Sequence, residues 1–166
     1  MKSRNARDLK KAARILEGVT EEFGDHPWAF HELGNCYVKM KRARDGVEAL
    51  RSAVQIYRDN GDVKKIGRGL NDLGNAYVAA GDVSNAIDTL REAVELNRSS
   101  GGQGLGRVLN DLGNAYVAAG DVSNAIDTLR EAVEVKRRSG VGQDLGRALN
   151  DLGNAYVAAG DVSNAI

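Results

Sequence analysis

One string of eighteen residues, LNDLGNAYVAAGDVSNAI, occurs three times in the chain, at 70–87, 109–126 and 149–166. The first two copies stay identical through DTLREAVE, to Glu95 and Glu134. A looser version, FHELGNCYVKMKRARDGVEAL, covers 30–50. Aligned on Leu33, Leu73, Leu112 and Leu152, the copies are spaced 40, 39 and 40 residues apart. The spacing from Ala53, Ala93 and Ala132 to Gly61, Gly101 and Gly140 is constant, so the single deletion falls after Gly101, in a loop. Repetition at this period makes each copy one supersecondary unit that buries its apolar face only against its neighbours.

Within a unit the apolar residues recur every three or four positions, the spacing of one-faced helices. Leu9, Ala12, Ala13, Leu16 and Val19 predict a helix from about Asn5 to Phe23, closed by Gly24 and followed by Pro27 at the first position of the next. Further helices are expected to about Met40, over 45–58, 63–80 and 83–98, then at 103–119, 122–138 and 142–159. Asn60-Gly61 and Gly81-Asp82 supply turns, and Asp82 or Ser84 can cap the helix that follows. Gly74 and Ala86 would let paired helices approach closely while Tyr77 and Leu90 fill the space beside them. The expected organisation is one repeat domain over 1–166: an unpaired helix at 1–26, repeats at 27–62, 63–101 and 102–141, and an incomplete repeat at 142–166.

Composition excludes several classes of function. With 23 basic and 23 acidic side chains, no bulk field draws nucleic acid or an anionic membrane. The charge is nevertheless uneven: residues 1–66 carry 14 basic and 10 acidic groups, and residues 67–166 carry 9 and 13. No apolar run is long enough to span a membrane and the start of the chain lacks a signal peptide's apolar region. One cysteine rules out an internal disulfide framework and suits a reducing compartment, so a cytoplasmic location is expected. His31 and Cys36 lie five residues apart and point about 140° from each other on a helix, so they are not a base and nucleophile. Cys36 takes the place of Ala76, Ala115 and Ala155, a small packed position. Two His and one Cys make no metal site, and Gly101-Gly102-Gln103-Gly104-Leu105-Gly106 lacks the Lys and Ser/Thr of a phosphate loop. No catalytic residue, metal or cofactor is expected.

The spacing Leu70, Leu73-Gly74, Tyr77, Gly81, Ala86, Leu90 and Ala93 resembles the signature of the tetratricopeptide repeat, from Phe30 to the end. The period exceeds that family's usual 34 residues and the Pro that usually closes each repeat is missing. The variant, with LGNAY and an Arg one turn upstream, looks more like repeats of kinesin light chains and Pins-type adaptors, and like those attached to bacterial signalling ATPases. The resemblance implies an all-α, right-handed α-solenoid of stacked antiparallel helix hairpins. It also implies that the first helix of each pair lines a concave, partner-binding face.

On that face Arg68, Asn71 and Asn75 (with Val78) form a stripe, repeated as Arg107, Asn110, Asn114 and as Arg147, Asn150, Asn154. Asn can pair with a partner's peptide groups and Arg with its carboxylates. The structural alternative has Asn75-type residues bonding within the hairpin and Arg68-type residues pairing with an acid such as Asp72 or Asp111. In the first repeat Trp28, His31, Asn35 and Lys39 hold the corresponding places, Trp28 either as an anchor for a partner's apolar residue or packed on the N-terminal helix. The expected partner is a protein or peptide, an extended and acidic segment. The alternatives are head-to-tail self-association, the last copy breaking off early in its second helix, or a regulatory piece of a larger signalling protein.

Overall fold

The computed structural model describes residues 2–102, 104–140 and 142–160; Gln103 and the expected start of a last second helix, 161–166, lie outside the described residues. The described residues form eight helices and no strand: α1 (Lys2–Glu22), α2 (Pro27–Lys39), α3 (Ala43–Asp59), α4 (Val63–Ala80), α5 (Val83–Ser99), α6 (Leu105–Ala119), α7 (Val122–Ser139) and α8 (Gly142–Ala158). The all-α class is as expected, and every helix sits within three residues of its expected bounds. Packing divides the chain into two compact units, Met1–Asp82 and Val83–Ile166.

In the first unit α1 packs on α2, α2 on α3 and α3 on α4. Ala13, Leu16, Ala29, Leu33, Tyr37 and Ala49 form the core under α1, with Cys36 packed against them. Burial pushes the Cys36 thiol up in pKa, as the small packed position of the sequence suggests. The α2/α3 hairpin closes on two glycines: a Cβ at Gly34 would stand 2.6 Å from Leu50 Cγ and 3.0 Å from the Gly46 carbonyl oxygen. In the second unit α5 packs on α6, α6 on α7 and α7 on α8. There Gly113 gives Leu129 the same space, a Cβ being 2.5 Å from its Cγ. Leu50, Leu90 and Leu129 are fully buried, each worth about 1.5–3 kcal/mol.

The turns follow their chemistry. Gly81 and Gly120 take φ of 81° and 76°, and their N–H groups close the preceding helix. Asp121 Oδ1 then accepts from Asn124 N at 3.2 Å to cap α7. The first repeat departs from this pattern. Lys41 adopts φ 64° where the other copies have Gly, and Arg42 stands where they have the capping Asp.

In the second unit a recurring polar contact joins a first helix to the second helix before it, α6 to α5 and α8 to α7. Arg91 Nε donates to Tyr116 Oη at 2.8 Å, and Arg130 Nε to Tyr156 Oη at 2.7 Å. Under α1 the donor is reversed: Tyr37 Oη donates to Glu17 Oε1 at 2.6 Å, with the Arg42 guanidinium 4.2 Å over the ring. Burial, then the Glu17 bond, pushes the Tyr37 phenol up to about 12. A phenol held above its ordinary value of about 10 adds stability below that pH and loses it as pH rises towards 12. Urea unfolding should therefore show stability falling more steeply between pH 10 and 12 in the parent than in Tyr37→Phe. Parallel pH profiles would contradict the contact.

Candidate partner-binding face

The first helices α2, α4, α6 and α8 carry the predicted stripe, and the structure splits it in two. Arg68, Arg107, Arg147, Asn75, Asn114 and Asn154 are exposed, Asn35 is half-buried and Lys39 is exposed. His31, Asn71 and Asn110 are sealed, at 4%, 0% and 0% exposure. That corrects the expectation for these three, which present no surface to a partner. Each residue advances about 100° around a helix, so Asn71 lies roughly 50° to one side of Arg68 and Asn75. That turn suffices to bury it. Asn150, their counterpart on α8, is exposed.

Two of the sealed residues, His31 and Asn110, bond to a carboxylate of the following repeat. His31 Nε2 lies 2.7 Å from Asp72 Oδ2, and Asn110 Nδ2 donates to Asp151 Oδ2 at 2.7 Å. Asn114 Nδ2 reaches the same oxygen at 3.0 Å, so it bonds between repeats rather than within its hairpin. Arg147 Nη2 donates to Asp111 Oδ1 at 3.0 Å, the acid pairing anticipated as the structural alternative. Asp72 and Asp151 are thus staples between repeats, a role that their one-per-repeat recurrence signals only in outline.

In the first unit α2, α3 and α4 converge on a cleft of about 120 Å³ lined by Trp28, His31, Glu32, Tyr57, Lys65 and Arg68. Trp28 is 62% exposed, so it does not pack on the N-terminal helix as a cap. Lys65 pairs with Asp62 at 2.8 Å, and its Nζ lies 5.9 Å from the Tyr57 ring centroid. Arg68 makes no ion pair among the described residues. Below them Tyr57 Oη lies 3.5 Å from His31 Nδ1, and burial raises the Tyr57 pKa. The cleft therefore has an aromatic wall, two cations and one acid. Sequence spacing alone singles out none of Glu32, Tyr57 and Lys65: Glu32 lies one turn after Trp28 on α2, Tyr57 comes from α3 of the same hairpin, and Lys65 joins them through the stacking of α4 on that hairpin. Among the described residues no group of His, Cys, Asp and Glu could hold a metal ion.

The model of the tetratricopeptide repeat family matches residues 25–99 and 65–138. The chain belongs to the tetratricopeptide repeat family. Kinesin-light-chain-type repeats from Podosopora anserina, nearly identical to one another, share the tetratricopeptide fold with a TM-score of 0.81 at 21% identity, over 98% of this chain and 85% of that one. BtubC from P. vanneervenii gives 0.83 at 22% identity, over 98% of this chain and 70% of its own. MamA gives 0.73 at 24%, over 99% and 80%. A search of curated proteins finds no match. The tetratricopeptide architecture is that of a protein-interaction scaffold. Among the described residues no helix is long and apolar enough to cross a membrane.

Proposed function

We propose that this tetratricopeptide chain is a non-catalytic, cytoplasmic scaffold whose first-helix face holds an extended acidic segment of a partner protein. The observation that carries the reading is the cleft, where an exposed Trp28 stands beside the unpaired guanidinium of Arg68. A large exposed aromatic next to an Arg is the composition of a binding hot spot. The indole takes an apolar side chain, and the guanidinium takes a neighbouring carboxylate by paired hydrogen bonds. Lys65 adds a second positive charge, and Asn35, on α2 of the same unit, adds an amide that can pair with peptide groups.

A peptide array of extended acidic sequences tests this. Binders of the parent should lose about tenfold or more in affinity with Trp28→Ala or Arg68→Ala. Asn71→Ala should weaken folding instead, because that side chain is buried. Equal binding by the parent and both cleft variants would remove the cleft from the site. Self-association is the second reading, favoured by Leu149 and Val157 standing 44% and 57% exposed on α8. Sedimentation velocity over a wide concentration range tests it, and a constant monomer would end it.

A further inference from the structure

The first unit carries a second charged surface, away from the cleft. The turn between α2 and α3 reads Lys39-Met40-Lys41-Arg42-Ala43-Arg44, where the second and third copies read Ala79-Ala80-Gly81-Asp82-Val83-Ser84 and Ala118-Ala119-Gly120-Asp121-Val122-Ser123. Four cations thus replace a neutral stretch and an acid. The backbone resists the change, since Lys41 keeps the left-handed conformation that glycine serves elsewhere. Lys41, Arg42 and Arg44 line an open groove of about 410 Å³ together with Asp45, Ala43, Ala79 and Ala80. Arg42 is held by Asp45 at 2.6 Å and by the Tyr37 ring. Lys39, Lys41 and Arg44 are exposed and make no ion pair among the described residues.

Antiparallel packing brings the first half of α1 to the same edge, since Glu17 and Ala13 meet Tyr37 near the end of α2. There Arg7, Lys10, Lys11 and Arg14 form one stripe opposite the buried Ala13 and Leu16, all exposed and without an ion pair. The acids of α1's last turn, Glu21 and Glu22, lie at the other end. A helix dipole favours the reverse order, so this distribution does not serve helix stability. The cations of the second unit behave differently: Arg98 pairs with Glu131, Arg138 with Glu134 and Arg147 with Asp111.

We propose that this basic edge, the α2–α3 turn with its groove and the outer stripe of α1, docks an acidic, Asp/Glu-rich segment of a partner protein. A row of separate flexible cations over a small apolar floor fits an extended carboxylate-bearing chain. Nucleic acid is disfavoured because no exposed aromatic offers a stacking platform beside these cations and the whole chain is neutral. An anionic membrane is disfavoured because α1's apolar face is spent on the core.

Fluorescence anisotropy of a labelled ten-residue oligoglutamate at low salt tests the proposal. Lys41→Gly/Arg42→Asp installs the turn already used at 81–82 and 120–121, so it keeps the fold. It should weaken oligoglutamate binding at least tenfold and flatten its salt dependence. Lys10→Gln/Lys11→Gln, on a solvent face, should weaken it severalfold, and each of these variants should weaken it more than Trp28→Ala/Arg68→Ala does, because oligoglutamate offers the Trp28 indole no apolar side chain. That last comparison separates failure here from failure of the cleft reading. No saturable binding by the parent, or unchanged affinity in the turn and stripe variants, would overturn the proposal. So would tighter binding of a single-stranded oligonucleotide or of phosphatidylserine vesicles that the turn variant abolishes, which would reassign the edge.

Discussion

Leu129→Ala should lower the unfolding free energy by about 3–5 kcal/mol, the upper range for a buried Leu truncation. Leu129 is fully buried and packs where Gly113 leaves α6 without a side chain. The wall beside it is therefore helix backbone, which collapses poorly into the space left behind. The contact can be tested from its other side. A Cβ at Gly113 would lie 2.5 Å from Leu129 Cγ and 2.8 Å from Cδ2. Gly113→Ala alone should destabilise by about 1–3 kcal/mol through overpacking, offset in part by about 1 kcal/mol of helix propensity. In the Leu129→Ala background the clash is gone, so the same substitution should cost little or stabilise. Gly146 is the control: it sits in the second turn of α8 with nothing within 4 Å of its would-be Cβ, and Gly146→Ala should stabilise by about 0.5–1 kcal/mol. Urea denaturation with unchanged slopes measures all four variants. A loss under about 1 kcal/mol for Leu129→Ala would contradict the packing.

Asp151→Ala should cost about 1–3 kcal/mol, more than a surface carboxylate's removal, because it strands a buried donor. Its Oδ2 accepts from both Asn110 and Asn114, and Asn110 is wholly buried with its Oδ1 already lacking a hydrogen-bond partner. The Asn110 amide N–H would be left where water does not reach, whereas exposed Asn114 can turn to solvent. The neighbouring Asn150→Ala, at an exposed site, should change stability by less than about 0.5 kcal/mol. Asp151→Asn can still offer a carbonyl oxygen and should fall between the two. Equal effects of Asp151→Ala and Asn150→Ala would remove the staple.

Much of this molecule is legible in its repetition. Heptad-like spacing of Leu70, Leu73 and Tyr77, with Gly81 and Asp82 after them, locates α4 to the residue, because turn chemistry and helical period are local properties. The split within the stripe is not local. Whether Asn110 faces a partner or the next repeat depends on how one hairpin rotates against another, and a difference of about 50° decides it. The same holds for Trp28, whose cleft borrows Tyr57 from α3 and Lys65 and Arg68 from α4. Substitutions between otherwise similar copies were the better guide: Lys41-Arg42 for Gly-Asp and Trp28 for Arg mark the two surfaces where the first repeat departs from its siblings.

Trp28 is the chain's one tryptophan, so its emission reports the cleft alone. Titration with an acidic peptide selected on the array should shift that emission to the blue, saturating with the affinity measured by calorimetry, and Arg68→Ala should weaken both together. Saturable binding by calorimetry with Trp28 emission unmoved would place the partner elsewhere and contradict the account.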